Sequence, residues 1–144
     1  MLAKKINDQI SVGPQIELAE MQALSDAGFK SVILNRPNNE EDGQPSFAEE
    51  QEAAEAVGMV AQHIPMRPGH MTDDAIVAFA KAMDDLPKPI FAHCKSGLRS
   101  AMLWAFSQAH NGSEPKAILQ AIKDAGYDMP GIEPHLTELS GKKA

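Results

Sequence analysis

Pro89-Ile90-Phe91-Ala92-His93-Cys94-Lys95-Ser96-Gly97-Leu98-Arg99-Ser100-Ala101 is the stretch on which the reading of this chain turns. Its first five residues are almost wholly apolar and follow Pro87, which suits a short strand buried on both faces. From Ser100 to His110 the residues Ala101, Leu103, Trp104 and Phe106 mark the core side and flanks of a helix. Between strand and helix, Cys94 to Arg99 form a tight loop in which Gly97 allows a positive φ. A strand feeding a helix through a polar loop is the repeating unit of an α/β domain. Catalytic loops in such sheets lie at the carboxyl ends of the strands.

The same alternation extends outward. Ile10-Ser11-Val12-Gly13 reads as a strand stopped by Gly13-Pro14. Ile16, Ala19, Ala23 and Ala27 keep helical spacing, with Gly28 placed to end the helix and Phe29 to fold back on it. Ser31-Val32-Ile33-Leu34 reads as a second buried strand, followed by a polar turn and an acidic loop over 38–45. Ser46 and Glu49 fit a capping box for a helix to about Val57, with Gly58 closing it. Met59 to Pro65 reads as a strand. Thr72 is placed to cap a helix bearing Ile76, Phe79, Ala80 and Met83 on one face. Ser113 is expected to cap a helix that has Pro115 in its first turn and ends at Gly126. From Asp128 the chain reads as irregular, with one helical turn near 135–139. The expectation is one α/β domain over 1–144, with a mainly parallel sheet of four or five strands flanked by helices.

Composition narrows the function. The chain has 144 residues, 43% hydrophobic and 23% charged, as a globular domain should. Its net charge of −7 disfavours nucleic acid as a partner. No apolar run approaches a membrane span, and the first eight residues lack the apolar segment of a secretory signal. A cytoplasmic protein with no membrane partner is expected. One cysteine excludes an internal disulfide and a multi-cysteine zinc site. His63, His70, His93, His110 and His135 show no i, i+4 or HxH spacing, so no metal and no cofactor is expected.

The loop carries the chemistry. Gly97 lets successive backbone N–H groups turn inward, and the helix after it adds unsatisfied N–H groups with a partial positive charge. Arg99 offers a planar fork for two oxygens of a tetrahedral anion. A cysteine in such a field, beside Arg99, Lys95 and His93, gives up its proton readily and becomes a nucleophile. Lys95, Ser96, Gly97, Leu98 and Arg99 are therefore the expected substrate-binding loop around Cys94.

His93-Cys94, four residues and Arg99-Ser100 resemble the signature loop of cysteine-based phosphatases of the tyrosine and dual-specificity type. The order of Ile10–Gly13, Phe29–Pro37 and His63-Ile64-Pro65-Met66 extends the likeness over roughly residues 5–125. The nearest resemblance is to a small bacterial phosphatase-like family that occurs alone or beside beta-lactamase-like hydrolase and sulfide-metabolism modules. The likeness implies a protein tyrosine phosphatase-like fold and hydrolysis of phosphate monoesters, small or on a phosphoprotein. It implies that Cys94 attacks phosphorus and that Arg99 and the loop amides hold the oxygens. His93 then orients the loop, and Ser100 assists departure of the sulfur.

Two departures keep alternatives open. The phosphatase pattern has five residues between Cys and Arg, whereas Lys95, Ser96, Gly97 and Leu98 make four. A loop of this size also resembles a single-domain rhodanese, in which Cys94 would carry a persulfide and the partner would be a sulfane-sulfur anion. The family's general acid is an Asp after the Ile-Pro strand, where this chain has Met66-Arg67-Pro68-Gly69-His70. Asp73, Asp74 or His70 are the substitutes, or the acid is missing and the loop is a non-catalytic anion-binding module. Arg36 and Arg67 read as surface turn residues. Glu49, Glu50, Glu52 and Glu55 read as a solvated helix face.

Overall fold

The computed structural model describes residues 3–143. Five strands, β1 (Lys4–Lys5), β2 (Ile10–Gly13), β3 (Ser31–Leu34), β4 (Val60–His63) and β5 (Ile90–His93), form one sheet in the order β1-β2-β5-β3-β4. β5 is central and parallel to both β2 and β3, β4 is parallel to β3, and β1 alone is antiparallel. The helices are α1 (Met21–Asp26), α2 (Phe47–Ala56), α3 (Asp73–Asp85), α4 (Leu98–His110), α5 (Pro115–Asp124) and α6 (Glu133–Lys143).

β2, β3 and β5 are buried along their whole length. Alternation sends their side chains into two cores. Val32 and Phe91 meet Ile16, Met21, Leu24 and Ala54 on one face. Ile33, Ile90 and Ala92 meet Ile76, Phe79, Leu103 and Trp104 on the other. α4 packs against α3, α5 and α6 on that second face. No described helix is long and apolar enough to cross a membrane.

Local signals carry most of the elements. Ser46 and Glu49 close their capping box reciprocally, and the Thr72 side chain accepts from Ala75 N–H at 3.1 Å. Gly28, at φ +100°, donates to Ser25 C=O while Phe29 donates to Leu24 C=O, the paired bonds of a Schellman ending.

Four expectations fail. The first helix is shorter than its apolar spacing suggests, with one 3₁₀ turn at Leu18–Glu20 before α1. Glu114, not Ser113, occupies the N-cap of α5. α4 starts at Leu98, so Arg99 and Ser100 belong to its first turn rather than to the loop and its border. The tail is no irregular segment: α6 spans Glu133–Lys143, anchored by fully buried Leu136. Its weak intrinsic pattern is overridden by packing on α4 and α5. Lys4–Lys5 also pairs with Ser11 and Val12 as an added edge strand that apolar patterning does not reveal.

Candidate active site

β5 ends at His93, and the chain turns at Cys94 in line with the central strand. Cys94 is fully buried, and its N–H donates to Gly13 C=O at the end of the neighbouring strand (3.3 Å). The Gly97 N–H donates to Cys94 Sγ at 3.0 Å. Gly97 adopts φ +94°, and a Cβ there would collide with the Tyr127 hydroxyl. Tyr127 Oη in turn donates to Ser96 C=O at 3.3 Å. The loop is thus held from outside by Tyr127 and from the next strand by Gly13.

Gly97 is also the N-cap of α4 and has no side chain with which to satisfy the helix's first amides. Leu98 N–H leans on Ser96 Oγ at 3.4 Å, and a helix start of this kind directs its next amides at an anion. Arg99 and Ser100 are buried in that first turn, whereas Lys95, Ser96 and Leu98 are exposed. Ser100 Oγ donates to Asn35 Oδ1 at 2.7 Å. Asn35 Nδ2 donates to Ile64 C=O at 2.8 Å, so one side chain ties the ends of β3 and β4 to α4.

Arg99 is clamped by two groups that sequence reading did not assign. Its Nη1 donates to Met66 C=O and Glu40 Oε2, both at 2.9 Å, and its Nη2 donates to Glu40 Oε1 at 2.7 Å. The hydrogen bonds from Arg99, helped by those from Arg36, hold the Glu40 carboxyl at about 2 against the opposing effect of burial. The hydrogen bond to Glu40 raises Arg99 above its ordinary value against the opposing effect of burial, and the charge of Cys94 acts in the same sense. The fork is therefore fixed and charged.

Arg36 and Glu50 correct the sequence reading. Arg36 is not a surface turn residue: it is 2% exposed, with Nε on Glu40 at 2.8 Å and Nη1 on Gln15 Oε1 at 3.0 Å. Glu50 is not on a solvated face: it is 1% exposed and its Oε1 lies 2.7 Å from His93 Nε2. Position supplies the missed signal for Glu50, because buried Ala54 lies one helical turn away on the same face of α2. For Glu40 the local chain offers no signal. Glu41 bridges to Lys95 Nζ at 2.7 Å, and that bond pulls its carboxyl below the usual range.

Asp73 stands exposed in the first turn of α3. It lines a groove of about 510 Å³ with Met66, Met71, Met102, Phe106 and His135, and no residue of the 93–100 segment lines that groove. His70 is exposed in the Arg67–His70 turn and borders a different pocket with Pro37 and Met66.

The comparisons agree with this architecture. The family described as the phosphatase-like domain of beta-lactamase hydrolase-like protein matches residues 3–111. The beta-lactamase hydrolase-like protein of Agrobacterium fabrum is 36% identical over 130 residues, covering 90% of this chain and 30% of that protein. A second such protein, from Xylella fastidiosa, is 31% identical over 86% of this chain and 29% of its own length. This chain therefore spans about 30% of the length of the curated relatives it matches. Among solved structures, a candidate phosphatase from Neisseria meningitidis Z2491 superposes with TM-score 0.82 and 26% identity, covering 96% of this chain and 99% of the other. These relatives give the sulfur-transfer reading no support.

Proposed function

The chain belongs to the phosphatase-like domain family of beta-lactamase hydrolase-like proteins, and from that premise we propose that it is a cysteine-dependent phosphatase acting on phosphate monoesters. The observation that carries this reading is the Gly97 N–H on Cys94 Sγ at the start of α4, whose first turn carries the buried, clamped Arg99. Sulfur attacks phosphorus, the ester oxygen leaves, and a thiophosphate ester forms on Cys94. Arg99 and the first-turn amides hold the equatorial oxygens as charge spreads over them. Glu40 grips the Nη1–Nη2 end of Arg99, which leaves the Nε side of the fork for the phosphoryl group.

Water then cleaves the intermediate. Ser100 assists departure of the sulfur, for which its proton turns from Asn35 to Sγ. Lys95, Ser96, Gly97 and Leu98 shape the rim, and Lys95 adds charge to it. The carboxylates that touch Arg99 and Lys95 are both held ionised, so neither serves as proton donor to the leaving group. Esters with weakly basic leaving groups, such as aryl phosphates, suit the site.

Turnover of p-nitrophenyl phosphate by the wild type, abolished in Cys94→Ser while phosphate still binds, is the expected result. A phosphoryl adduct on Cys94 trapped by acid quench completes the test. Turnover that survives in Cys94→Ser overturns the reading.

A further inference from the structure

Three glutamates of α2, Glu49, Glu52 and Glu55, face solvent, but Glu50 is buried to 1% exposure. Burying a carboxylate is costly, and a buried ion pair is weak evidence for stability. What distinguishes Glu50 is where its oxygens lead. Oε1 lies 2.7 Å from His93 Nε2, on the residue before the nucleophile. Oε2 accepts from Gln15 Nε2 at 3.3 Å. Gln15 Oε1 accepts from Arg36 Nη1, and Arg36 Nε and Arg99 Nη2 both donate to Glu40 Oε1. One unbroken polar chain joins His93, ahead of the cysteine loop, to Arg99, at its end.

A carboxylate accepts only, so the His93 ring carries its proton on Nε2. His93 Nδ1 is buried without a hydrogen-bond partner. The groups that meet the ring are Glu50 from α2 and the stacked Phe91 ring from its own strand, with Cys94 next in the chain. Among the described residues, Glu50 is the hydrogen-bond partner that another element brings to the ring, and it fixes the ring's orientation one residue from the sulfur. A change of charge at that distance alters the field at the nucleophile.

We propose that Glu50 is a positioning residue for the Cys94 reaction, fixing the His93 ring beside the nucleophile and, through Gln15 and Arg36, the Glu40 clamp on Arg99. The inference rests on the phosphatase reading, and its test includes an arm that does not need turnover.

Glu50→Gln retains the shape and an acceptor oxygen but removes the charge. The expected result is a fall in kcat of about tenfold with little change in KM, the scale seen when an outer partner of a functional group is lost. The rate of Cys94 alkylation by iodoacetamide should rise at higher pH in Glu50→Gln than in the wild type. A folded Glu50→Gln whose pH–rate and alkylation profiles both superimpose on the wild type overturns the proposal, even if its unfolding midpoint drops. If Glu50→Gln does not fold, nitrogen NMR of the wild-type His93 ring decides. A proton on Nε2 at neutral pH supports the proposal, and a bare Nε2 overturns it. Should the wild type lack phosphatase activity, that failure is read from p-nitrophenyl phosphate alone, and the alkylation arm still reports on Glu50.

Discussion

The Gly97 N–H points at Cys94 Sγ from 3.0 Å, three residues along the chain. That bond forms only because Gly97 sits at φ +94°, where the chain turns back on the sulfur before entering α4. A side chain at this position is strained by about 1–3 kcal/mol in the backbone alone. It also collides with the Tyr127 hydroxyl and approaches Gly13 C within 3.2 Å.

Gly97→Ala is therefore expected to lower the thermal midpoint by several degrees, at about 2–4 °C per kcal/mol for a chain of this size. Displacing the loop by an ångström should cost about 100-fold in kcat. Tyr127→Phe on the Gly97→Ala background removes the hydroxyl collision but leaves the backbone strain, so calorimetry should show partial recovery. Full recovery would mean that the conformation of Gly97 is unimportant.

Asn35 and Ser100 separate stability from chemistry. Asn35→Ala leaves the Ile64 carbonyl and the Ser100 hydroxyl without a partner in a buried place, at about 1–3 kcal/mol for each group. Ser100→Ala strands only Asn35 Oδ1 and should destabilise less in urea unfolding. Its mark should be kinetic: slower hydrolysis of the thiophosphate intermediate, seen as a burst of p-nitrophenol followed by a reduced steady rate. A Ser100→Ala enzyme with no burst removes Ser100 from the second step.

Glu40 predicts a specific acid sensitivity. Its carboxyl is held at about 2, below the ordinary 4.5, first by the hydrogen bond from Arg99. The folded state releases this proton more readily than the unfolded chain. The resulting stability is present above pH 4.5 and is lost as pH falls through about 2. Urea midpoints of Glu40→Gln should lie below the wild type near neutrality and converge on it toward pH 2. Parallel curves across that window would mean that the clamp on Arg99 contributes nothing to the folded state.

Asp73 lines the groove between α3, α4 and α6 rather than touching Arg99 or Cys94. Asp73→Asn should accordingly leave both limbs of the p-nitrophenyl phosphate pH–rate profile in place. Flattening of the basic limb would identify it as the proton donor and require the 66–73 segment to move during turnover.

Cys94, Gly97 and Arg99 were legible because they are close in sequence. Strand, turn and helix start are local events, and each residue type states its task within a few positions. α6 was not legible, because its pattern is weak and its helix is stabilised by contacts with α4 and α5. Nor were Arg36 and Glu50, since a charged residue in a turn or on an acidic helix ordinarily belongs to water.

The chain by itself determined the alternating α/β order, the parallel sheet and the loop that presents a thiol before a helix. Tertiary structure decided what surrounds that loop. Glu40 reaches Arg99 across 59 residues, Glu50 reaches His93 across 43, and Asn35 reaches Ser100 across 65. The physical reason is that backbone conformation follows from neighbours in sequence, whereas the cost of a buried charge is met only by whichever partner the packed sheet and helices bring to it.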